Sequence, residues 1–234
     1  MRINQCIIAG VAVLSLLAQT SGYANSLTIG DTVSVGFVSV SPGGILNISD
    51  SFYHGGAYAG IYNMNVGLNN QTSGGLVQMP TFCIDAYQFD PIVQTRGYTV
   101  SALQNAPVNK PPGAMGSGSA LEIEKLWTQY YSGAISDSSG KNAVLLQAAI
   151  WMLSSGPDFS ITSDAHTWTG YGSWSDWLTA YEAGAANAAP ANLLALTNPN
   201  NQDYVVRVPD GGTTLSLLGL ALCGLAAAGR KSNR

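Results

Sequence analysis

The chain has 234 residues, of which 46% are apolar and only 9% are charged, against about 25% charged in an average soluble protein. A chain of this length can bury a complete core, so we expect one domain flanked by terminal signals. The net charge of −4 provides no basic surface for nucleic acid, which excludes that class of partner. Abundant Gly, Ser, Asn and Thr are typical of an extracellular, β-rich surface or matrix protein.

The first 24 residues have the three parts of a secretory signal peptide. Arg2 supplies the positive start, residues 7–17 form the apolar stretch, and Gly22-Tyr23-Ala24 offers a small-x-small cleavage site. An uncleaved membrane anchor is the alternative, but the apolar stretch is short for a membrane span. We therefore expect export of a domain that covers residues 25–207.

The segment after this signal predicts short β-strands. Apolar and polar residues alternate over residues 32–40, and the Ser-Pro-Gly-Gly sequence at 41–44 predicts a turn. Further strands are expected at residues 45–48, 57–66, 76–86, 96–101 and 204–208. Short strands with frequent Gly- and Asn-rich turns favour a sandwich or a barrel. Residues 107–119, rich in Pro, Gly and Ser, predict a loop.

Three helices are expected in a helical section over about residues 120–189. The first, over residues 120–132, has apolar residues at helical spacing: Ile123, Leu126, Trp127 and Tyr130. The second covers residues 142–154, and the third covers 173–189, where Ser173 and Asp176 have the spacing of a capping box. The predicted fold class is α+β, an antiparallel β-sandwich or barrel with a helical section, plus an N-terminal signal peptide and a C-terminal transmembrane sorting helix.

One polar side chain interrupts the second predicted helix. Every residue from 143 to 153 is apolar except Gln147, so most of the circumference of this segment should be buried. Burying an amide without partners costs about 1–3 kcal/mol, so Gln147 should have a partner. A hydrogen bond to a nearby backbone group, or a place on a narrow exposed strip, would explain Gln147 without any chemistry.

Cys83 is the one cysteine of the chain that lies between the two terminal signals. Cys6 belongs to the signal peptide and Cys223 to the C-terminal tail, so Cys83 is alone in the mature domain. A disulfide within that domain is therefore excluded. A lone cysteine in an exported protein is either buried and inert or chemically special.

The two regions together resemble a known pattern. Phe82-Cys83-Ile84-Asp85 and Gln147-Ala148-Ala149-Ile150-Trp151 match the paired motifs of bacterial thioester domains from surface adhesins. The resemblance covers about residues 76–156, and Leu146 stands where Thr is often found. It implies a thioester between Cys83 and Gln147, with Asp85 as a candidate assisting residue. It also implies an apolar pocket around the bond, formed by Phe82, Ile84, Ile150 and Trp151.

The implied chemistry is single-use covalent capture. An amine or hydroxyl group on an unknown surface or matrix target would attack the Gln147 carbonyl and free Cys83. The expected function is adhesion, without enzymatic turnover and without a cofactor. The alternative is a non-covalent structural or glycan-binding matrix protein in which Cys83 is a buried free thiol.

Two other kinds of site are compatible with the sequence. His54 and His166 lack partners at metal-ligand spacing, so no metal site is predicted. A Cys-His hydrolase that pairs Cys83 with either histidine stays open, because folding sets such pairs. An aromatic cluster could either stack on glycans or pack a helix onto the sheet; it comprises Trp168, Tyr171, Trp174, Trp177 and Tyr181.

Residues 208–234 form a second terminal signal. Val208-Pro209-Asp210-Gly211-Gly212 precedes an apolar run at 213–229 and a basic end, and a helix over that run is about 25 Å long, enough to cross a locally thinned membrane. This order resembles the PEP-CTERM class of sorting signals in its VPDSG-CTERM variant, with Gly211 in place of Ser. The resemblance implies an exosortase-type partner, cleavage near residues 208–212, and a location in the cell envelope, on the cell surface or in the extracellular matrix. An anchor that is never cleaved is the alternative.

Overall fold

Antiparallel strands and a few helices make up the part of the chain that the structure describes. A computed structural model describes residues 27–50, 53–68, 76–86, 88, 94–109 and 112–208, and residues Thr28–Arg207 form one unit. The predicted signal peptide and the apolar run at 213–229 lie outside the described residues. Within those residues, no helix has both the length and the apolar character needed to cross a membrane.

Among the described residues, six of the nine strands pair in a closed ring. Around the ring the order is β1, β2, β3, β9, β8 and β4, and β4 pairs again with β1. Every pairing is antiparallel, which agrees with the predicted α+β class. The strands of the large sheet are β1 Thr32–Ser49, β2 His54–Leu68, β3 Val77–Cys83, β4 Arg96–Ala102, β7 Ser160–Ile161, β8 Leu193–Thr197 and β9 Tyr204–Arg207. A separate small hairpin consists of β5 Pro107–Asn109 and β6 Pro112–Ala114.

The turn predicted at residues 41–44 is wrong, because β1 continues through it from Thr32 to Ser49. Two shifts in the β1–β2 register absorb the irregular residues, one between Phe37 and Ser39 and one between Val40 and Gly43. Proline and glycine are tolerated in a strand at such bulges. The predicted strands 32–40 and 45–48 are therefore two parts of one bent strand.

A close crossing of β1 and β2 explains why glycine is needed at the bend. Gly60 has a φ of +151°, and a Cβ atom there would lie 2.5 Å from the Pro42 carbonyl oxygen. On the facing strand, a Cβ atom at Gly43 would lie 2.5 Å from the Ala59 carbonyl oxygen. Side chains at these positions would force the two backbones apart.

The three predicted helices are confirmed, with moved boundaries. The helices are α1 Ser117–Ser136, α2 Lys141–Ser154, α3 Ala165–Thr169 and α4 Trp174–Ala185. The Ser173 hydroxyl caps α4 by accepting a hydrogen bond from the Asp176 amide at 3.1 Å, as the capping spacing predicts. The loop prediction for residues 107–119 is wrong, since this segment holds the small hairpin and the start of α1. The short elements β7, β8 and α3 were not predicted.

Two tryptophans of the aromatic cluster pack inside the protein. Trp174 and Trp177 are buried and meet edge to face, with ring centroids 5.4 Å apart. The Trp174 indole N–H donates to the Ser163 carbonyl oxygen at 2.8 Å. Tyr171 differs, because 42% of its surface is exposed.

Candidate functional site

Cys83 lies where strand β3 separates from its neighbour β2. The β2–β3 pairing ends at Tyr62 and Thr81, two residues before Cys83, while the pairing with β9 continues to Cys83 and Tyr204. Successive residues of a strand direct their backbone groups to opposite sides. Because the Ile84 amide donates to Asp203 on the β9 side, the Cys83 amide and carbonyl face the side that β2 has left.

The Gln147 carboxamide occupies that side and replaces the missing strand. Its Oε1 accepts a hydrogen bond from the Cys83 amide at 3.0 Å, and its Nε2 donates to the Cys83 carbonyl oxygen at 2.7 Å. Cys83 and Gln147 both have no exposed surface. The structure thus brings together the two residues that the sequence paired, which are 64 positions apart.

Helix α2 is buried on nearly all of its circumference, and it therefore holds the Gln147 side chain inside the protein. Gly140, in the left-handed conformation, precedes the helix, and the helix packs on strands β1, β2 and β3. The polar side chain is therefore directed into the core, where the edge of β3 offers the donor and acceptor that it needs. This satisfied arrangement is also the structural explanation of Gln147 that the sequence left open.

The Cys83 sulfur has its own set of polar neighbours. The thiol donates to the Asp85 carbonyl oxygen at 2.9 Å. The Gln202 Nε2 donates to the sulfur at 2.7 Å, and the Trp151 Nε1 does so at 3.4 Å. Gln202 is held in turn by the Tyr204 hydroxyl, which donates to its Oε1 at 3.3 Å.

Sequence reasoning missed Gln202. It follows a polar turn, in which the Asn200 amide donates to the Asn198 side chain at 2.8 Å, and lies two residues before β9 begins at Tyr204. A glutamine in such a segment carries no periodic signal, because polar residues are ordinary in turns. Only the β3–β9 pairing brings it to the sulfur.

The site favours the neutral thiol. Burial raises the pKa of Cys83 well above its usual value, the nearby Asp85 charge raises it further, and the Trp151 hydrogen bond opposes these effects. Burial also raises the pKa of Asp203 to about 7, while its hydrogen bond from Asn198 lowers it. The Oδ2 atom of Asp203 has no hydrogen-bond partner among the described residues.

The four residues predicted to form an apolar pocket are all buried. Phe82, Ile84, Ile150 and Trp151 are at most 2% exposed, and the Phe82 ring meets Trp127 edge to face at 5.6 Å. Asp85 is also buried, at 5% exposure, and contacts the thiol through its backbone carbonyl. Water is thus largely excluded from the site.

A cavity of about 470 Å³ lies next to strands β1 and β2. Trp151 and Gln202, whose N–H groups contact the sulfur, form part of its wall. Aromatic rings and small residues from β1 and β2 form most of the remainder. The described lining residues are Phe37, Ser39, Val40, Gly56, Ala57, Tyr58, Tyr62, Ala86, Gln88, Trp151 and Gln202.

The two histidines have other surroundings. The His54 Nδ1 and the Ser49 hydroxyl are 2.5 Å apart, and His166 is an exposed residue of helix α3. Neither histidine is among the hydrogen-bond partners of the Cys83 sulfur, which weakens the Cys-His hydrolase alternative. The described residues also include no group of His, Cys, Asp and Glu side chains that could hold a metal ion.

Comparison with protein families identifies the C-terminal segment. Residues 207–232 match the model of the VPDSG-CTERM motif. The chain carries an exosortase sorting tail. This tail supports export to the cell envelope or surface and processing by an exosortase-type enzyme. The match does not extend to Cys83 or Gln147. No curated protein and no solved structure matches the chain.

Proposed function

We propose that this exported protein attaches covalently to its target through a thioester between Cys83 and Gln147. The observation that carries the proposal is the contact of these two residues, 64 positions apart, in a fully buried site. Close approach and exclusion of water are the two conditions that the formation and survival of a thioester require. Two hydrogen bonds hold the buried Gln147 carboxamide to the backbone of the residue that carries the lone thiol, which supports the proposal on both counts.

Formation of the bond balances without a co-reactant. The Cys83 sulfur attacks the Gln147 carboxamide carbon, the C–S bond forms, and the C–N bond breaks. Ammonia leaves with the proton of the thiol. The Asp85 backbone carbonyl oxygen accepts a hydrogen bond from the thiol, with 2.9 Å between sulfur and oxygen. We expect Asp85 to assist the reaction by orienting the sulfur through this hydrogen bond.

Capture of the target uses the same two atoms. A target amine or hydroxyl attacks the Gln147 acyl carbon, giving an amide or an ester. The C–S bond breaks, and the sulfur takes up the proton of the nucleophile to become a thiol again. The two N–H donors of Gln202 and Trp151 stabilise the charge that develops on the sulfur. Each molecule reacts once, so the function is adhesion and not turnover.

A second candidate is a non-covalent structural or glycan-binding matrix protein. It is favoured by one observation: the two hydrogen bonds to Cys83 give both polar atoms of the Gln147 side chain a partner without any covalent bond. In that case the carboxamide only closes the edge of β3, and the thiol stays buried and neutral.

The intact mass of the purified full-length protein distinguishes the two functions. A thioester lowers the mass by that of one ammonia, and treatment with methylamine raises the mass of the thioester form by one methylamine, which converts Gln147 to its N-methyl amide. Cys83→Ser and Gln147→Glu should each abolish the deficit, whereas substitution of the exposed Gln104 by Glu should leave it. A wild-type protein with its full mass and no methylamine adduct would refute the thioester.

We propose that sorting at the C-terminus includes cleavage near Val208 to Gly212. Residues 213–229 would span the membrane until that cleavage. The order of motif, apolar run and basic end supports this. Replacing Pro209 and Asp210 with Ala should leave the protein uncleaved in the membrane fraction of a host that has the exosortase. Normal cleavage of that variant would contradict the assignment.

A further inference from the structure

The pairing of β3 with β9 brings Gln202 and Tyr204 to the Cys83 sulfur. Cys83 pairs directly with Tyr204, so their side chains lie on the same face of the sheet. Gln202 is two residues before Tyr204, and alternate residues of an extended chain face the same way. The buried Gln202 carboxamide lies between the two, with Oε1 3.3 Å from the Tyr204 hydroxyl oxygen and Nε2 2.7 Å from the sulfur.

The orientation of this carboxamide decides what Gln202 offers to the sulfur. One end of an amide group donates and the other accepts, although the two ends have nearly the same shape. With Nε2 towards Cys83, Gln202 donates an N–H group to the sulfur. With Oε1 in that place, it would instead accept from the S–H group and stabilise the neutral thiol.

Two neighbours of Gln202 hold the donating orientation. Nε2 also donates to the Asp85 backbone carbonyl oxygen at 3.2 Å, and a carbonyl oxygen can only accept. At the other end, the Tyr204 hydroxyl donates to Oε1. Without that hydroxyl, Oε1 would lose the donor that the described residues give it, and turning towards the thiol would be its way to regain one. The Tyr98 hydroxyl holds the Gln202 backbone separately, by donating to its carbonyl oxygen at 3.1 Å.

A donor on the sulfur matters because the sulfur carries charge in both steps of the proposed reaction. When the sulfur attacks the Gln147 acyl carbon, the C–S bond forms, the C–N bond breaks, and the thiol proton leaves with ammonia. In capture, the C–S bond breaks and its electron pair passes to the sulfur, which then takes up the proton of the nucleophile. Burial of Cys83 opposes this charge, so an N–H group at 2.7 Å stabilises both transition states.

The sulfur can lose its proton without leaving a neighbouring group unpaired. The Asp85 carbonyl oxygen accepts from the thiol at 2.9 Å and from Gln202 at 3.2 Å. When the S–H group is gone, that oxygen keeps the Gln202 donor. The sulfur then keeps two donors, Gln202 and Trp151.

We propose that Tyr204 is a positioning residue of the thioester reaction, which acts by holding the Gln202 carboxamide with its N–H group on the Cys83 sulfur. The inference rests on the proposed thioester and deepens it, because it assigns the residue that orients the nearer of the two sulfur donors. The action of Tyr204 passes through Gln202, which contacts the reacting sulfur directly.

The rate at which methylamine opens the thioester of the full-length protein tests this proposal, with intact mass as the measurement. Tyr204→Phe removes one oxygen and keeps the ring, and it should slow the opening about fivefold, the effect of one hydrogen bond. Gln202→Met removes the donor itself and should slow the opening at least about tenfold. Tyr62→Phe is the matched control, because the buried Tyr62 donates its hydroxyl to the Tyr58 carbonyl oxygen. It should react at the wild-type rate.

Two double variants distinguish a positioning role from a merely structural one. Once Gln202 is replaced by Met, Tyr204→Phe should cause no further slowing, because there is no carboxamide left to orient. In Trp151→Phe, which removes the other donor, Tyr204→Phe should still slow the opening about fivefold. Urea denaturation checks that each variant folds. If Gln202→Met does not fold, Gln202→Glu takes its place, because it keeps the side-chain shape and replaces the amide N–H groups by oxygen.

The outcomes separate this proposal from the thioester itself. A wild-type rate for Tyr204→Phe, or an equal slowing by Tyr204→Phe in the Gln202 and Trp151 backgrounds, would overturn the positioning role while the thioester stands. Absence of the ammonia deficit in the wild type would overturn the thioester, and this assignment with it.

Discussion

Removing the proposed cross-link should lower the stability of the domain by an amount that its loop length sets. The bond would close a loop of 64 positions between Cys83 and Gln147. Applied to a loop of that length, the chain-entropy relation used for disulfides gives about 4 kcal/mol at 25 °C. Methylamine opens the bond without removing any residue, so it should lower the free energy of unfolding of the wild type by about 4 kcal/mol, measured by urea denaturation.

Variants at Cys83 separate this loss from the loss of local contacts. Cys83→Ala removes the cross-link and also the sulfur that accepts hydrogen bonds from Gln202 and Trp151. We therefore expect the free energy of unfolding to fall by a further amount of about 1–2 kcal/mol. Cys83→Ser keeps a polar atom in place of the sulfur and should recover part of that further cost. Neither variant should respond to methylamine. If methylamine leaves the wild type unchanged and Cys83→Ala costs only about 1 kcal/mol, the cross-link is refuted.

Three further predictions concern the surroundings of the site. Gln147→Leu leaves the buried amide and carbonyl of Cys83 unpaired, so its free energy of unfolding should be about 2 kcal/mol lower than that of Cys83→Ala. Equal urea midpoints for the two variants would contradict the role of Gln147 in pairing the edge of β3. Gly60→Ala should lower the free energy of unfolding by about 1–3 kcal/mol, because Gly60 has a positive φ and faces a carbonyl oxygen. Gly97→Ala, with no atom within 4 Å of the added Cβ, should lower it by less than about 1 kcal/mol. Burial raises the pKa of Asp203 to about 7 from 3.8, so the folded state holds a proton that the unfolded state releases. Stability should fall by up to about 4 kcal/mol as the pH rises from 4 to 8, and Asp203→Asn should flatten that profile; an unchanged profile would contradict this.

The candidate site could be predicted from the sequence only in part. Cys83 and Gln147 were identifiable because each is unusual in its own segment, one as the lone cysteine between two terminal signals and the other as the amide in an apolar helix. Gln202 gave no such signal, because a polar residue in a turn is ordinary. Its 2.7 Å contact with the sulfur depends on the pairing of β3 with β9, and local periodicity does not encode which strands pair.

The sequence by itself determined the helices, the β-rich remainder and the order of parts in the sorting tail, since side-chain period and composition act over a few residues. Tertiary structure decided that β1 runs through Pro42, because pairing with β2 outweighs the local turn preference. It also decided what Gln147 contacts. Strand β2 leaves the edge of β3 before Cys83, and the backbone groups exposed there need partners in a core without water. The carboxamide from α2 provides both, which joins Gln147 to the backbone of the residue that carries the lone thiol.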